Sequence, residues 1–174
     1  MSNSKVTEAQ LRSMIDNDID YSNADVSGIT NMRLLFADRC EVKYDISKWD
    51  VSNVKDMVYM FSGCQDFNQD LSNWDVSSVR NMSCMFLDCH DFNQDLSKWD
   101  VSNVDGMGAM FLNCHDLNQD LSKWDVSNVD SMWAMFSDCR NFNKDISKWT
   151  ISADCDTVAM FYGCDALPLE YIPV

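Results

Sequence analysis

Residues 49–73 read WDVSNVKDMVYMFSGCQDFNQDLSN, and residues 74–98 read WDVSSVRNMSCMFLDCHDFNQDLSK. The second stretch repeats the first with substitutions and no insertion. The register extends outward from this pair. Trp49, Trp74, Trp99, Trp124 and Trp149 recur every 25 residues. Phe61, Phe86, Phe111, Phe136 and Phe161 keep the same interval, as do Cys64, Cys89, Cys114, Cys139 and Cys164. A weaker first copy has Ala24 in the Trp place and Phe36 in the Phe place. Arg39 stands in its Cys place, with Cys40 one residue late. One such unit cannot bury its apolar face alone, and stacked neighbours supply a continuous core. The 174 residues are therefore expected to form a solenoid over 24–165, with an N-terminal helical cap at 1–23 and a C-terminal cap segment at 166–174.

Within a coil, Val54, Met57, Phe61 and Cys64 are spaced 3, 4 and 3, which predicts a short helix with these residues on one face. Ser52 is placed to cap it and Gly63 to end it. Residues 67–73 read as extended, with Leu71 inward. Trp74 and Val76 have the opposite parity, so a corner is expected near Ser72 and Asn73. Paired extended segments would lie about 4.8 Å apart. Thr7 is placed to cap a helix over 7–16 that carries Leu11, Met14 and Ile15 on one side. Pro168 and Pro173, which cannot donate to a ladder, are expected to blunt the last open edge.

The unit Phe-Asn-x-Asp-Leu-Ser-x-Trp-Asp-Val-Ser-x-Val-x-x-Met-x-x-Met-Phe-x-x-Cys, carried closely by residues 67–89 and 92–114, resembles the BspA-like leucine-rich-repeat surface proteins. More narrowly, it resembles the 25-residue mycoplasma-type repeat of unknown function. The resemblance covers residues 24–165. It implies an α/β solenoid, a leucine-rich-repeat-like stack of about six 25-residue coils, each a short helix plus a short extended segment. It also implies a role in adhesion or binding. Members occur on bacterial surfaces, in some algae and protists, and in giant viruses. The family brings no catalytic residue.

Charge narrows the partners. Lys and Arg number 13 against 28 Asp and Glu, a net charge of −15. Nucleic acid and anionic lipid need a basic patch, so neither is expected. No apolar run reaches the roughly 18 residues of a membrane span. Met1-Ser2-Asn3-Ser4-Lys5-Val6 lacks the apolar segment of a signal peptide. An intracellular or virion-associated location is expected for this chain, and a cell-surface one for the same coils cut from a longer protein.

Each repeated residue has two readings. The Cys row reads as core packing, with disulfides or metal as alternatives; closed zinc sites use ligands much closer in sequence. Cys84 and Cys155 are off-register and read as free thiols, and His90 and His115 read as exposed. The Asn row (Asn68, Asn93, Asn118, Asn143) reads as satisfying backbone at turns. The Trp row reads as an inward stack or a glycan-binding stripe. Two acidic rows stack like charge on like: Asp45, Asp70, Asp95, Asp120, Asp145, and Asp50, Asp75, Asp100, Asp125, ended by Thr150. Bonds to turn N–H groups with help from Lys48, Lys98, Lys123 and Lys148 would offset the repulsion, or bound cations would.

No Ser-His-Asp set, phosphate loop or HExxH pattern occurs, so no catalysis and no cofactor are expected. The expected function is a non-enzymatic binding or adhesion module for a protein or glycan. Its candidate surface is Asp70, Ser72, Asp95, Ser97, Asp120, Ser122 and Asp145, with the irregular Trp133 as a single contact. The alternatives are a structural or assembly protein, such as a virion component associating through its solenoid ends, and cation-dependent adhesion through the Asp rows.

Overall fold

A computed structural model describes residues 4–39 and 41–173. Met1 to Asn3 of the expected N-terminal cap, the late Cys40 and the final Val174 lie outside the described residues.

The chain opens with one α-helix, α1 (Glu8–Asp16). Thr7 caps it: its hydroxyl accepts from the Gln10 N–H while the Gln10 side chain accepts from the Thr7 N–H, a reciprocal capping box. Leu11 and Ile15 are buried against the first coil. From α1 the chain enters a stack of six coils. Isolated parallel bridges mark their register: Asn31, Asp56, Asn81, Gly106, Ser131 and Asp156 each pair with the next. A 3-10 turn at Leu169–Tyr171 follows the last coil. Among the described residues no helix is long and apolar enough to cross a membrane.

The helix expected over 54–64 does not form, and neither does its counterpart in any coil. Each coil instead runs through overlapping tight turns. In the second coil the N–H groups of Met60, Ser62 and Cys64 close turns onto the carbonyls of Met57, Tyr59 and Phe61. The intervening N–H groups, of Met57, Tyr59, Phe61 and Gly63, leave the coil and donate to Asn81, Ser83, Met85 and Leu87 of the next. A helix would use all these donors internally. Here half serve the stack, which secures a neighbour along its whole edge. The cost is a left-handed backbone twice per coil: Tyr59 (φ 57°) and Gly63 (φ 75°), Cys84 (58°) and Asp88 (60°), Ala109 (51°) and Asn113 (62°), Ala134 (50°) and Asp138 (57°). For non-glycine residues this costs about 1–2 kcal/mol each. It persists because ladder bonds on both sides fix the residue. Gly63 stands at such a position for a further reason: a Cβ there would meet the Asp38 carboxylate at 2.6 Å.

The inward spacing survives the change of element. Val54, Met57, Phe61 and Cys64 are all buried, because chained turns also return a side chain to the core every three or four residues. Ser52 caps no helix; its N–H and hydroxyl bond Asp50 instead. The segment read as extended forms no strand. It turns its corner at Ser72 and Asn73, where the Trp74 N–H closes onto the Leu71 carbonyl. Its ties to the next coil come partly from amide side chains. The N–H groups of Asn93, Asn118 and Asn143 donate to the Asn Oδ1 one coil below, at 2.9–3.2 Å.

The core is a set of aromatic stacks. Successive Phe rings from Phe36 to Phe161 lie 5.6–5.8 Å apart. Trp99, Trp124 and Trp149 stack nearly parallel at 6.4–6.5 Å. Side chains lock these stacks to the corners. Each Trp Nε1 donates to the carbonyl opening the equivalent corner one coil earlier, as Trp99 does to Leu71 at 3.1 Å. Each Cys Sγ of the row does the same to a Phe carbonyl, as Cys114 does to Phe86 at 3.1 Å. The Trp row is therefore an inward stack, not a solvent-facing stripe.

Candidate functional site

The Asp rows sit at two successive corners of the coils before the last, one opened by Asp70 and its equivalents, the other by Asp75 and its equivalents. In the first row Oδ1 accepts the N–H of the Ser two residues on: Ser72 to Asp70 and Ser97 to Asp95 at 2.9 Å, Ser122 to Asp120 and Ser147 to Asp145 at 3.0 Å. In the second row the same bond measures 3.1 Å, as from Ser77 to Asp75 and Ser102 to Asp100. There, and at Ser147 in the first row, the serine hydroxyl joins at 2.6 Å. Each carboxylate thus closes an Asx turn and fixes the corner that leads Leu71 or Val76 inward. This is how stacked like charges are tolerated. The expected lysines contribute only a field: the ion pairs formed by described residues are Arg12–Glu8, Arg39–Asp16 and Lys43–Asp18, all near α1.

All four aspartates of the candidate surface, Asp70, Asp95, Asp120 and Asp145, are exposed, and Ser72, Ser97 and Ser122 are half-buried. One oxygen of each carboxylate is committed to its turn. Oδ2 takes no hydrogen bond among the described residues. The bonds from the Ser72 backbone and hydroxyl hold the Asp70 carboxyl below its ordinary value of 3.8. The Ser97, Ser122 and Ser147 hydroxyls, then their N–H groups, do the same for Asp95, Asp120 and Asp145. Lowered folded values mean that the stabilisation is present in full above the unfolded value of about 3.9 and is lost as pH falls through the folded values. The melting temperature is thus expected to stay level between about pH 7 and 5 and to drop below about pH 4. Relief of the net charge of −15 works the other way. A melting temperature that climbs steadily to pH 3 would show that charge relief outweighs the turns.

Trp133 is 44% exposed. It lies over Gly108 of the preceding coil, where a Cβ would fall 2.3 Å from the indole Nε1. The ring needs a glycine beneath it, a pairing that the 25-residue offset between the two positions carries in the sequence. His90 and His115 are half-buried rather than exposed, and stack on each other with ring centroids 4.5 Å apart. Burial, then the neighbouring His90, pushes the His115 pKa below its usual range.

Cys84, Cys89, Cys114, Cys139, Cys155 and Cys164 are thiols without disulfides. Burial raises the Cys114 and Cys139 thiols far above their usual range and Cys164 to about 11, so these groups are poor nucleophiles. Among the described residues no three His, Cys, Asp or Glu side chains are grouped to hold a metal ion. A polar groove beside the Asp corners, lined by Asn68, Asn93, Asn118 and Asn143 with Asp91 and Asp116, was not singled out from sequence. Its signal was present in the Asn period, but the amides of Asn68, Asn93 and Asn118 are engaged with the backbone of the next coil.

Comparison with known proteins places this architecture in a family. A family model described as Mycoplasma protein of unknown function, DUF285, matches residues 4–116 and 94–171. Among solved structures, a crystal structure of the T. pallidum leucine-rich repeat protein is similar at 16% identity with a TM-score of 0.47, over 81% of this chain and 72% of that one. No curated protein matches.

Proposed function

We propose that the chain, which belongs to that Mycoplasma family of unknown function, is a non-enzymatic binding module that contacts a protein or glycan through its Asp and Ser rows. One observation carries this reading. Four successive coils present the same exposed carboxylate, in the same turn, held by the same serine bond, at a constant register along the stack. The core uses none of the outward oxygens, so the rows form a rigid acidic and hydrogen-bonding strip whose side chains are already ordered. Ordering before contact lowers the entropic cost of binding. Catalysis fits poorly, because a residue repeated in every coil gives no asymmetric constellation around one reacting atom.

Neutralising the strip without breaking its turns tests the reading. Asn retains the Oδ1 acceptor, so a variant combining Asp70→Asn, Asp95→Asn, Asp120→Asn and Asp145→Asn is expected to keep its fold. On protein and glycan arrays the parent chain is expected to bind saturably, and the variant at least about tenfold more weakly. A parent that binds nothing, or a variant that binds equally well, removes this function from the rows.

The assembly alternative has the exposed last coil in its favour. A contact between two such ends sets like charge against like, so the binding reading is preferred.

A further inference from the structure

The two ends of the solenoid are finished differently. At the first coil α1 lies across the end, and Arg12 Nη2 donates to the Arg33 carbonyl at 2.7 Å. At the last coil the ladder stops. The carbonyls of Asp156, Val158, Met160 and Tyr162 accept from the coil below. The N–H groups of Thr157, Ala159, Phe161 and Gly163, which continue the outgoing row, donate to no acceptor among the described residues. The C-terminal segment does not cover them. Among the described residues its backbone tie to the preceding coil is the bond from the Ile146 N–H to the Tyr171 carbonyl, and Pro168 only opens the 3-10 turn. Pro168 thus does not blunt this edge, and Pro173 lies beside it while the N–H row stays without an acceptor among the described residues. A shallow cleft remains, with Thr157, Ala159 and Phe161 beside Tyr162, Ile172 and Pro173. Tyr162 is 72% exposed on it, and Val158, between Thr157 and Ala159 in the chain, is also 72% exposed.

We propose that this end is a docking edge for a basic polypeptide segment of a partner protein, which adds its backbone carbonyls to the outgoing N–H row. Hydrogen-bond polarity selects the partner's backbone. The edge offers donors only, so its complement is a run of alternate carbonyls, as in strand addition to a sheet edge. Charge selects the side chains. Residues 150–174 contain Asp154, Asp156, Asp165 and Glu170 and no Lys or Arg, so flanking cations are favoured. Val158 and Tyr162 supply apolar contact. A second copy of this chain is disfavoured: tail to tail it opposes donors with donors, and head to tail it meets α1.

The probe is a short acetylated and amidated peptide alternating lysine and valine, titrated into the isotopically labelled full chain. Amide shifts and slowed exchange are expected at Thr157, Ala159, Phe161 and Gly163. A Val158→Lys, Tyr162→Lys variant alters two exposed side chains. It is expected to keep its melting temperature and to bind the probe at least about tenfold more weakly. Shifts spread evenly over the Asp rows, equal binding of a glutamate–valine peptide, or no shift at millimolar peptide each overturn the proposal. So does parent dimerisation in sedimentation that the variant abolishes, which would make the end a contact between copies. The edge at Thr157 to Gly163 includes none of Asp70, Asp95, Asp120 or Asp145, so the docking edge and the Asp strip stand or fall separately.

Discussion

Trp99→Ala is expected to lower the unfolding free energy by about 3–5 kcal/mol, against less than about 1 kcal/mol for Trp133→Ala. The two tryptophans differ in what they hold. Trp99 is 4% exposed, stacks on Trp124 at 6.5 Å and donates to Leu71 of the coil below. Its removal leaves a cavity between coils and breaks the tie that links two corners. A solenoid gains its stability from such nearest-neighbour interfaces, so weakening one mid-stack interface weakens the cooperativity of the whole. Trp133 leaves nearly half its surface in water and rests on a glycine. Urea unfolding followed by tryptophan fluorescence and circular dichroism measures both. Equal losses would mean that the indole ties do not carry the stack.

Ala109→Val is expected to cost about 2–5 kcal/mol, the sum of a β-branched residue in the left-handed region and overpacking of a filled site. Ala109 has φ 51° and no exposure, and its N–H donates to the Trp133 carbonyl at 2.7 Å. In a helix the same substitution would carry only a propensity cost below about 1 kcal/mol plus any overpacking. Ala9→Val, inside α1 on its exposed face, supplies that helical reference. Thermal or urea unfolding of both variants measures the difference. Similar small losses at both positions would contradict a left-handed residue at 109.

The period and the core were legible because side-chain identity reports burial directly. Trp, Phe and Cys recur without slippage, and every described member of the three rows is buried except Phe161 in the last coil, which has no neighbour above it. The Asx turns were legible too, since Asp followed two residues later by Ser is a local motif that needs no tertiary context. The backbone between them was not. A 3-4-3 spacing of inward residues is shared by a helix and by chained turns. Leu34, Tyr59, Cys84 and Ala109 have no preference for positive φ that would betray the turns. What sets them there is the inter-coil ladder, a contact between residues about 25 positions apart that no window within one coil contains. The open donor row at Thr157 to Gly163 was hidden for the same reason: its polarity follows from the turn ladder and not from any residue type.

Backbone NMR of the labelled chain measures the coil geometry on which the Asp strip and the open edge both depend. Chemical shifts and three-bond couplings are expected to report positive φ at Tyr59, Cys84, Ala109 and Ala134, with continuous helical shifts confined to Glu8–Asp16. An unbroken run of helical shifts with negative φ across residues 54–64 and their counterparts would contradict the turn ladder.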